Sequence, residues 1–268
     1  MSSANDTIGI IGAGHLGRSL AGTLISTGFP KDRLRLSHAG SPATLDAIRE
    51  AGLEKNLATN EDLCRHSSVI FITVRPQSVA LLDGLPFPRD ALVVSCMAGI
   101  PRPVLKRRWG IDVVRMMTGG PDTIIRGRGI AGIVPASERL NDILTGMGMQ
   151  VRVLPDEEMM QVFTAGVCFT AAILACRALG RNPDDEIAEA VREYPLLAGM
   201  YAWAQEAQPA ALSDAGRDEY IAKMSTPGGI TEAIVRSIRA GNSLSVAMQT
   251  GIDRGRAISR DAEETLSD

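Results

Sequence analysis

Hydrophobic and polar positions along the chain change their rhythm once. Up to about residue 155, short runs rich in Val and Ile alternate with amphipathic stretches, the pattern of a parallel sheet covered by helices. Runs at 7–11, 34–37, 68–74, 92–96, 113–116, 129–134 and 151–154 predict seven strands, and helical periodicity falls between several of them at 16–27, 42–51, 76–82, 101–108 and 137–147. Pro42, Pro76 and Pro101 stand at first-turn positions, where a missing N–H costs nothing. After Pro155 the strand signals stop. Asp156, Glu157 and Glu158 put acids at the positive end of a long helix, in which Met159 to Cys176 carry no charge. Such a helix is either buried on every side or crosses a membrane; Gln161, Thr164, Gly166 and Thr170 interrupt it and favour burial. Residues 180–184 read as a helix stop and restart, further helices run to about 260, and the polar tail 261–268 is expected to fray.

The first strand ends in Ile8-Gly9-Ile10-Ile11-Gly12-Ala13-Gly14-His15-Leu16-Gly17. A strand that turns directly into a helix aims free N–H groups and the positive dipole end at one point, where a diphosphate can sit. Gly12 permits the tight turn, Gly14 leaves room for phosphate against the backbone, and Gly17 lets the helix pack close to the strand. His15 and Leu16 open the helix beside the same ligand. Glycine spacing alone also serves plain βα connections; strand before and helix after make it a dinucleotide signal. The expected fold class is therefore α/β: a Rossmann-type doubly wound, mostly parallel sheet in 1–155 and an all-α domain in 156–268. An NAD-selective site carries an acid at the end of the second strand, about 20 residues past the glycines. Here that place reads Leu36-Ser37-His38-Ala39-Gly40-Ser41, with no carboxylate to repel a 2′-phosphate. Ser37, His38 and Ser41 are candidate donors, and NADP is favoured over NAD, although the segment also reads as a polar turn.

Composition narrows the partners. With 268 residues, 45% hydrophobic, 22% charged and a net charge of -3, the chain gives no reason to expect nucleic acid or a membrane surface as partner. Cys64, Cys96, Cys168 and Cys176 form no CxxC pair and lie among apolar neighbours, which points to buried free thiols in a reducing cytoplasm and to no metal site.

Three further segments stand out. Val74-Arg75-Pro76-Gln77 ends a strand at the edge where ligands of this fold collect, and Ser95-Cys96-Met97-Ala98-Gly99-Ile100-Pro101 repeats the arrangement one strand later. Val74, Arg75, Pro76, Ala98 and Gly99 are thus candidate cofactor contacts. Met224-Ser225-Thr226-Pro227-Gly228-Gly229-Ile230-Thr231-Glu232 reads as a Thr cap, Pro at the first helical position and two glycines, each costing about 1 kcal/mol inside a helix. Such a start is either an ordinary capped loop or a set of open N–H groups for a substrate carboxylate.

Taken together these segments resemble the pyrroline-5-carboxylate reductase family, across nearly the whole chain. The match comprises the N-terminal glycine turn, V-[KR]-P-Q, S-x-x-A-G-I, Arg115-Met116-Met117 with Pro121, and [ST]-P-G-G-x-T. The resemblance implies a helical domain that forms a homodimer, often assembled further, and a cyclic imine carboxylate as substrate. It implies that the substrate lies between the nicotinamide and the Pro-Gly-Gly loop. There Thr226, Gly228 and Gly229 hold the carboxylate and Thr231 hydrogen-bonds the ring nitrogen. Two segments depart from the family: Thr118-Gly119-Gly120 replaces Pro-Asn-x, and Val167-Cys168-Phe169-Thr170-Ala171-Ala172 stands where the family has S-G-S-G-P-A. Reducing an electrophilic C=N bond needs chiefly a well-placed hydride donor. The sequence displays no acid–base pair, and neither Asp122 nor Glu232 has a legible partner, so Thr231 is the expected catalytic residue. The expected activity is NADPH-dependent reduction of 1-pyrroline-5-carboxylate to proline. A different imine or carbonyl substrate on the same fold, or a non-catalytic NADP-binding protein, are the alternatives.

Overall fold

In the computed structural model, residues 6–209 and 212–266 are described. The chain divides into two compact units, one taking residues up to Pro155 with the end of the chain from Glu263, the other Asp156–Ala262.

The first unit is built on one seven-stranded sheet of β1 (Ile8–Ile11), β2 (Leu34–Ser37), β3 (Val69–Ile72), β4 (Leu92–Ser95), β5 (Val113–Thr118), β6 (Ile130–Val134) and β7 (Gln150–Val153). Their spatial order is β2-β1-β3-β4-β5-β6-β7. All neighbours run parallel except β5 and β6, which pair antiparallel from Arg115 opposite Val134 to Thr118 opposite Ala131. Helices α1 (His15–Ser26), α2 (Pro42–Glu50), α3 (Asn60–Arg65), α4 (Arg102–Trp109), α5 (Pro121–Ile125) and α6 (Glu138–Gly146) join the strands. β1 and β3 are buried at every position, because helices cover both faces and leave no polar side for alternation. The chain leaves β1 toward β2 and returns to β3 on the other side of β1, so the topological switch lies at the carboxyl ends of β1 and β3.

Two details of this unit differ from the expectation. The segment Pro76–Leu82 is a 3₁₀ helix, not an α-helix, and α3 and α5 were not anticipated. Both α3 and α5 are short and rely on their ends: the Thr59 hydroxyl accepts from the Asp62 amide, and Pro121 opens α5.

The second unit contains α7 (Glu157–Gly166), α8 (Phe169–Ala178), α9 (Ala188–Glu193), α10 (Leu196–Ala207), α11 (Asp214–Met224), α12 (Ile230–Arg239) and α13 (Leu244–Leu266). The single long helix expected after Pro155 is in fact two. Within α7 the Thr164 hydroxyl donates back to the Met160 carbonyl at 2.6 Å, a bond that bends helices, and Gly166 follows. The Cys168 amide then bonds the Ala165 carbonyl, three residues back, and the chain restarts as α8. Residues Phe169 to Cys176 are all buried, with α10, α11 and α12 packed around them. Burying Phe169 alone is worth roughly 2–3 kcal/mol, and its ring meets Tyr201 edge-on at 5.3 Å. The stretch Glu157–Ala178 is long and apolar enough to cross a membrane, and 83% of its most apolar window is buried inside the protein. The tail does not fray at 261: α13 continues to Leu266 through good helix formers such as Ala262, Glu263 and Glu264.

α13 is seated by two notches. A Cβ on Gly251 would lie 2.5 Å from Ile234 of α12, and one on Gly255 would lie 2.8 Å from Gln161 of α7, whose amide also donates to Ser259. Its start is held by Glu186, which accepts from the Leu244 amide at 2.8 Å and is clasped by Arg181. The Arg181 hydrogen bond, reinforced by the Leu244 amide, holds the Glu186 carboxyl below its usual range.

A carboxylate with a lowered folded pKa contributes stability above its unfolded pKa and loses it as pH falls through the folded one. Glu186→Gln should therefore cost about 2 kcal/mol at pH 7. That difference should shrink below about pH 4 in urea unfolding followed by helical circular dichroism. An equal cost at both pH values would remove the charged bond from the account.

Candidate functional site

At the switch point, β1 turns into α1 through Gly12 at φ +97°. A Cβ there would meet Val74 at 2.7 Å, so the position excludes side chains on both conformational and steric grounds. One turn later a Cβ on Gly17 would lie 2.4 Å from the Gly12 carbonyl, which fixes how closely α1 approaches the strand end. Gly14 is different: it is exposed, its φ is an ordinary -68°, and a Cβ would touch nothing. Its lack of a side chain is unused within the protein and leaves open backbone at a helix start. This is the cradle a diphosphate requires, and the residues present fit a dinucleotide.

The surrounding edge is tied together. The amides of Gly12 and Ala13 donate to the Ser37 carbonyl at 3.2 and 2.7 Å, joining the turn to the end of β2. Thr73 donates to the Gly12 carbonyl at 2.7 Å, joining it to β3. Sequence reasoning missed Thr73, although a threonine near the end of a predicted strand at this edge is the available signal. Ser37 is buried, while His38 is half-buried and accepts from the Gly40 amide through Nδ1 at 3.0 Å. Val74 and Pro76 are half-buried beside the turn, and the Arg75 guanidinium is exposed with no ion pair or hydrogen bond among the described residues. Ala98 is half-buried after β4 and Gly99 turns at φ +77°. Cys96, in the same segment, is only half-buried at its surface, and desolvation pushes its thiol up to about 12.

His15 and Asp122 supply the pairing that the sequence concealed. His15 opens α1 with its side chain 48% exposed, and its Nε2 lies 3.2 Å from the Asp122 carboxylate on α5. The two helices pack along each other, which brings together residues 107 positions apart. Leu16 is half-buried against the core of the sheet.

In the helical unit, the segment before α12 folds differently from its expected cap. Thr226 is exposed and is not the N-cap, and Pro227 does not begin the helix. Residues 227–229 form a turn, Gly228 adopts φ +71°, and α12 begins at Ile230 with Gly229 as its N-cap. Neither glycine sits inside a helix, so the penalty anticipated for them does not arise. Glu232 also has partners: it accepts from the Gly228 amide at 2.8 Å and pairs with Arg236 at 3.2 Å. The Gly229 amide donates to the Thr226 carbonyl, and Arg254 donates to the Gly228 carbonyl at 2.8 Å. The two glycine amides are therefore engaged within the loop. The open amides at this end are those of Ile230, Thr231 and Glu232, which have no acceptor among the described residues. Beside them the Thr231 hydroxyl donates to Cys168 Sγ at 3.2 Å. Val167, Cys168 and Phe169, which replace small polar residues of the family pattern, are all buried.

Residues 7–99 match the family described as NADP oxidoreductase, coenzyme F420-dependent. The chain is 24% identical to the pyrroline-5-carboxylate reductase of Pseudomonas aeruginosa over 97% of each sequence. This chain is an NAD(P)-dependent oxidoreductase, similar in sequence to pyrroline-5-carboxylate reductases. The chain shares its fold with the solved pyrroline-5-carboxylate reductase of Coxiella burnetii. That match has a TM-score of 0.60 at 20% identity and covers 95% of this chain and 98% of the other. The NADP-bound pyrroline carboxylate reductase of Plasmodium falciparum matches with a TM-score of 0.57 at 18% identity and the same coverage.

Gly14 separates binding from folding in this chain. Gly14→Ala should leave the melting temperature unchanged or slightly raised, because the methyl meets open space and loosens no contact. The same methyl should weaken dinucleotide binding about tenfold or more, read by nucleotide fluorescence titration. Unchanged affinity would mean that phosphate does not approach this turn.

Proposed function

We propose that the protein reduces a cyclic imine that carries a ring carboxylate, most simply 1-pyrroline-5-carboxylate to L-proline, with NADPH as the favoured donor. The reading is supported by two features, each within its own unit: a dinucleotide cradle at Gly12–Gly17, and a helix start with open amides beside the Thr231 hydroxyl. When bound, the reduced nicotinamide supplies a hydride. The chain's own residues then have three tasks.

The first is to hold the carboxylate. The amides of Ile230 and Thr231 point outward at the positive end of α12, and Arg254 and Arg236 add positive charge around the loop. Gly228 and Gly229 shape the turn, and Thr226 closes it through its carbonyl. The second task is to orient the ring nitrogen, which falls to Thr231. The third is to fix the ring within near-attack distance of the hydride, about 3–3.5 Å, so that no strong acid–base pair is required. The His15–Asp122 pair at the head of α1 belongs to the cofactor side of this chemistry, with the imidazole set beside the diphosphate cradle.

The preference for NADPH rests on the end of β2, where Ser37 and His38 stand in place of a carboxylate, and on the exposed Arg75 guanidinium. A homodimer through the helical unit and a cytoplasmic location complete the reading, the second supported by four free cysteines. A second reading, reduction of another imine or a carbonyl compound, is favoured by the buried apolar side chains of Val167 and Phe169, where the family pattern has small polar residues.

The deciding assay follows NADPH oxidation at 340 nm with 1-pyrroline-5-carboxylate, with NADH in parallel. Turnover, with kcat/KM reduced about 10- to 100-fold in Thr231→Ala, supports the assignment. Turnover unaffected by that change would take Thr231 out of the site, and binding of NADPH without turnover would move the reading to the other substrates. His38→Asp keeps an acceptor for the Gly40 amide while placing a carboxylate at the end of β2. It should weaken NADPH at least tenfold relative to NADH.

A further inference from the structure

From the α7–α8 break we infer that Cys168 is a positioning residue that turns the Thr231 hydroxyl into a hydrogen-bond acceptor for an N–H group on the substrate ring. The inference rests on the imine-reductase reading and deepens it, since it specifies the protonated iminium form as the species the site recognises.

The argument follows three bonds in order. At the break, the Cys168 amide bonds the Ala165 carbonyl and leaves the Thr164 carbonyl outside the helical ladder. That carbonyl takes the Cys168 thiol at 3.3 Å. A carbonyl can only accept, so the thiol is the donor, and its single proton is committed to Thr164. The sulfur lone pairs then face Thr231, whose Oγ1 lies 3.2 Å away and donates to them. The single hydroxyl proton of Thr231 is thereby also committed. What remains on its oxygen are lone pairs, which suit an N–H donor and are repelled by a bare nitrogen or oxygen lone pair.

The chain of bonds is durable at neutral pH. Cys168 is buried, and desolvation pushes its thiol up to about 11, so the proton it gives to Thr164 stays in place. A thiol is a weak partner on both sides. The orientation therefore depends on the geometry of the break as much as on the strength of either bond. A ring iminium nitrogen carries one N–H, and the product amine carries two when charged. Both satisfy an acceptor, whereas an uncharged imine nitrogen presents only a lone pair. Selecting the protonated ring also selects the more electrophilic one, so the device contributes to rate as well as to binding.

The test compares two ligands of one shape and opposite polarity at the ring heteroatom. L-Proline presents N–H, and tetrahydrofuran-2-carboxylate presents only oxygen lone pairs. Both are measured as inhibitors of imine reduction, and by calorimetric titration in the presence of NADP. Wild type should favour proline over the oxygen analogue. Cys168→Ala frees the Thr231 hydroxyl to rotate and donate, so the preference should fall about tenfold, mainly through tighter binding of the oxygen analogue. Cys168→Ser, which can also donate to Thr164 and accept from Thr231, should restore it. Thr231→Val removes the hydroxyl without opening a cavity and should reduce the preference from the other side of the pair, which keeps the test decisive if the alanine variant folds poorly. Equal preference in wild type and in Cys168→Ala, with imine turnover intact, would overturn the inference and spare the reading of the site. A wild type that reduces no cyclic imine would overturn both.

Discussion

The closest constraint in the first unit is the contact between α1 and the end of β1, where Gly17 has no room for even one carbon beyond its Cα. With the helix drawn that near, its first amides and the open Gly14 are held at one point, and the Gly12 carbonyl is pressed to where Thr73 reaches it. The ends of β1, β2 and β3 are then linked by hydrogen bonds that do not belong to the sheet ladder. A ligand site at this edge consequently rests on strands and one helix, with little contribution from loop conformation.

The helical unit solves a different problem. The charge-free stretch Met159–Cys176, running as one straight helix, would carry its interior carbonyls in its own ladder and offer nothing to its neighbours. The interruption between α7 and α8 frees the Thr164 carbonyl in the interior, and the unit uses it. Around that point α8 is enclosed by three helices, and the released group is paired by the Cys168 side chain. Buried polar atoms are expensive unless satisfied, and here a sulfur and two threonines share the burden.

Much of the fold was legible from patterning because β-branched runs bounded by turn residues leave few alternatives, and all seven strands lie where those runs fall. The glycine turn was legible because each glycine has a different physical reason. What escaped notice shares one cause: the deciding partner is remote in sequence or the local signal is weak. The break at Val167–Cys168 lies in a charge-free run without proline. His15 and Asp122 meet only because α1 lies along α5, and Cys168 and Thr231 meet only because α12 packs on α8. The turn at Pro227–Gly229 was mistaken for a capped helix start because Thr-Pro is also a good N-terminal signal, and only the left-handed Gly228 decides between the two. The tail was read as frayed from its polarity, which says where its face points but not whether it is helical.

The loop from Thr226 to Glu232 arrives already closed, with one carboxylate, one guanidinium and one carbonyl of the protein bound to its own backbone. A segment held in this way loses little conformational freedom when a small molecule docks, so the ordering entropy that flexible recognition loops charge against affinity is largely absent. It also follows that this loop is not a lid. Any selectivity at this loop has to come from amides whose spacing is set before a ligand arrives, and not from closure around it.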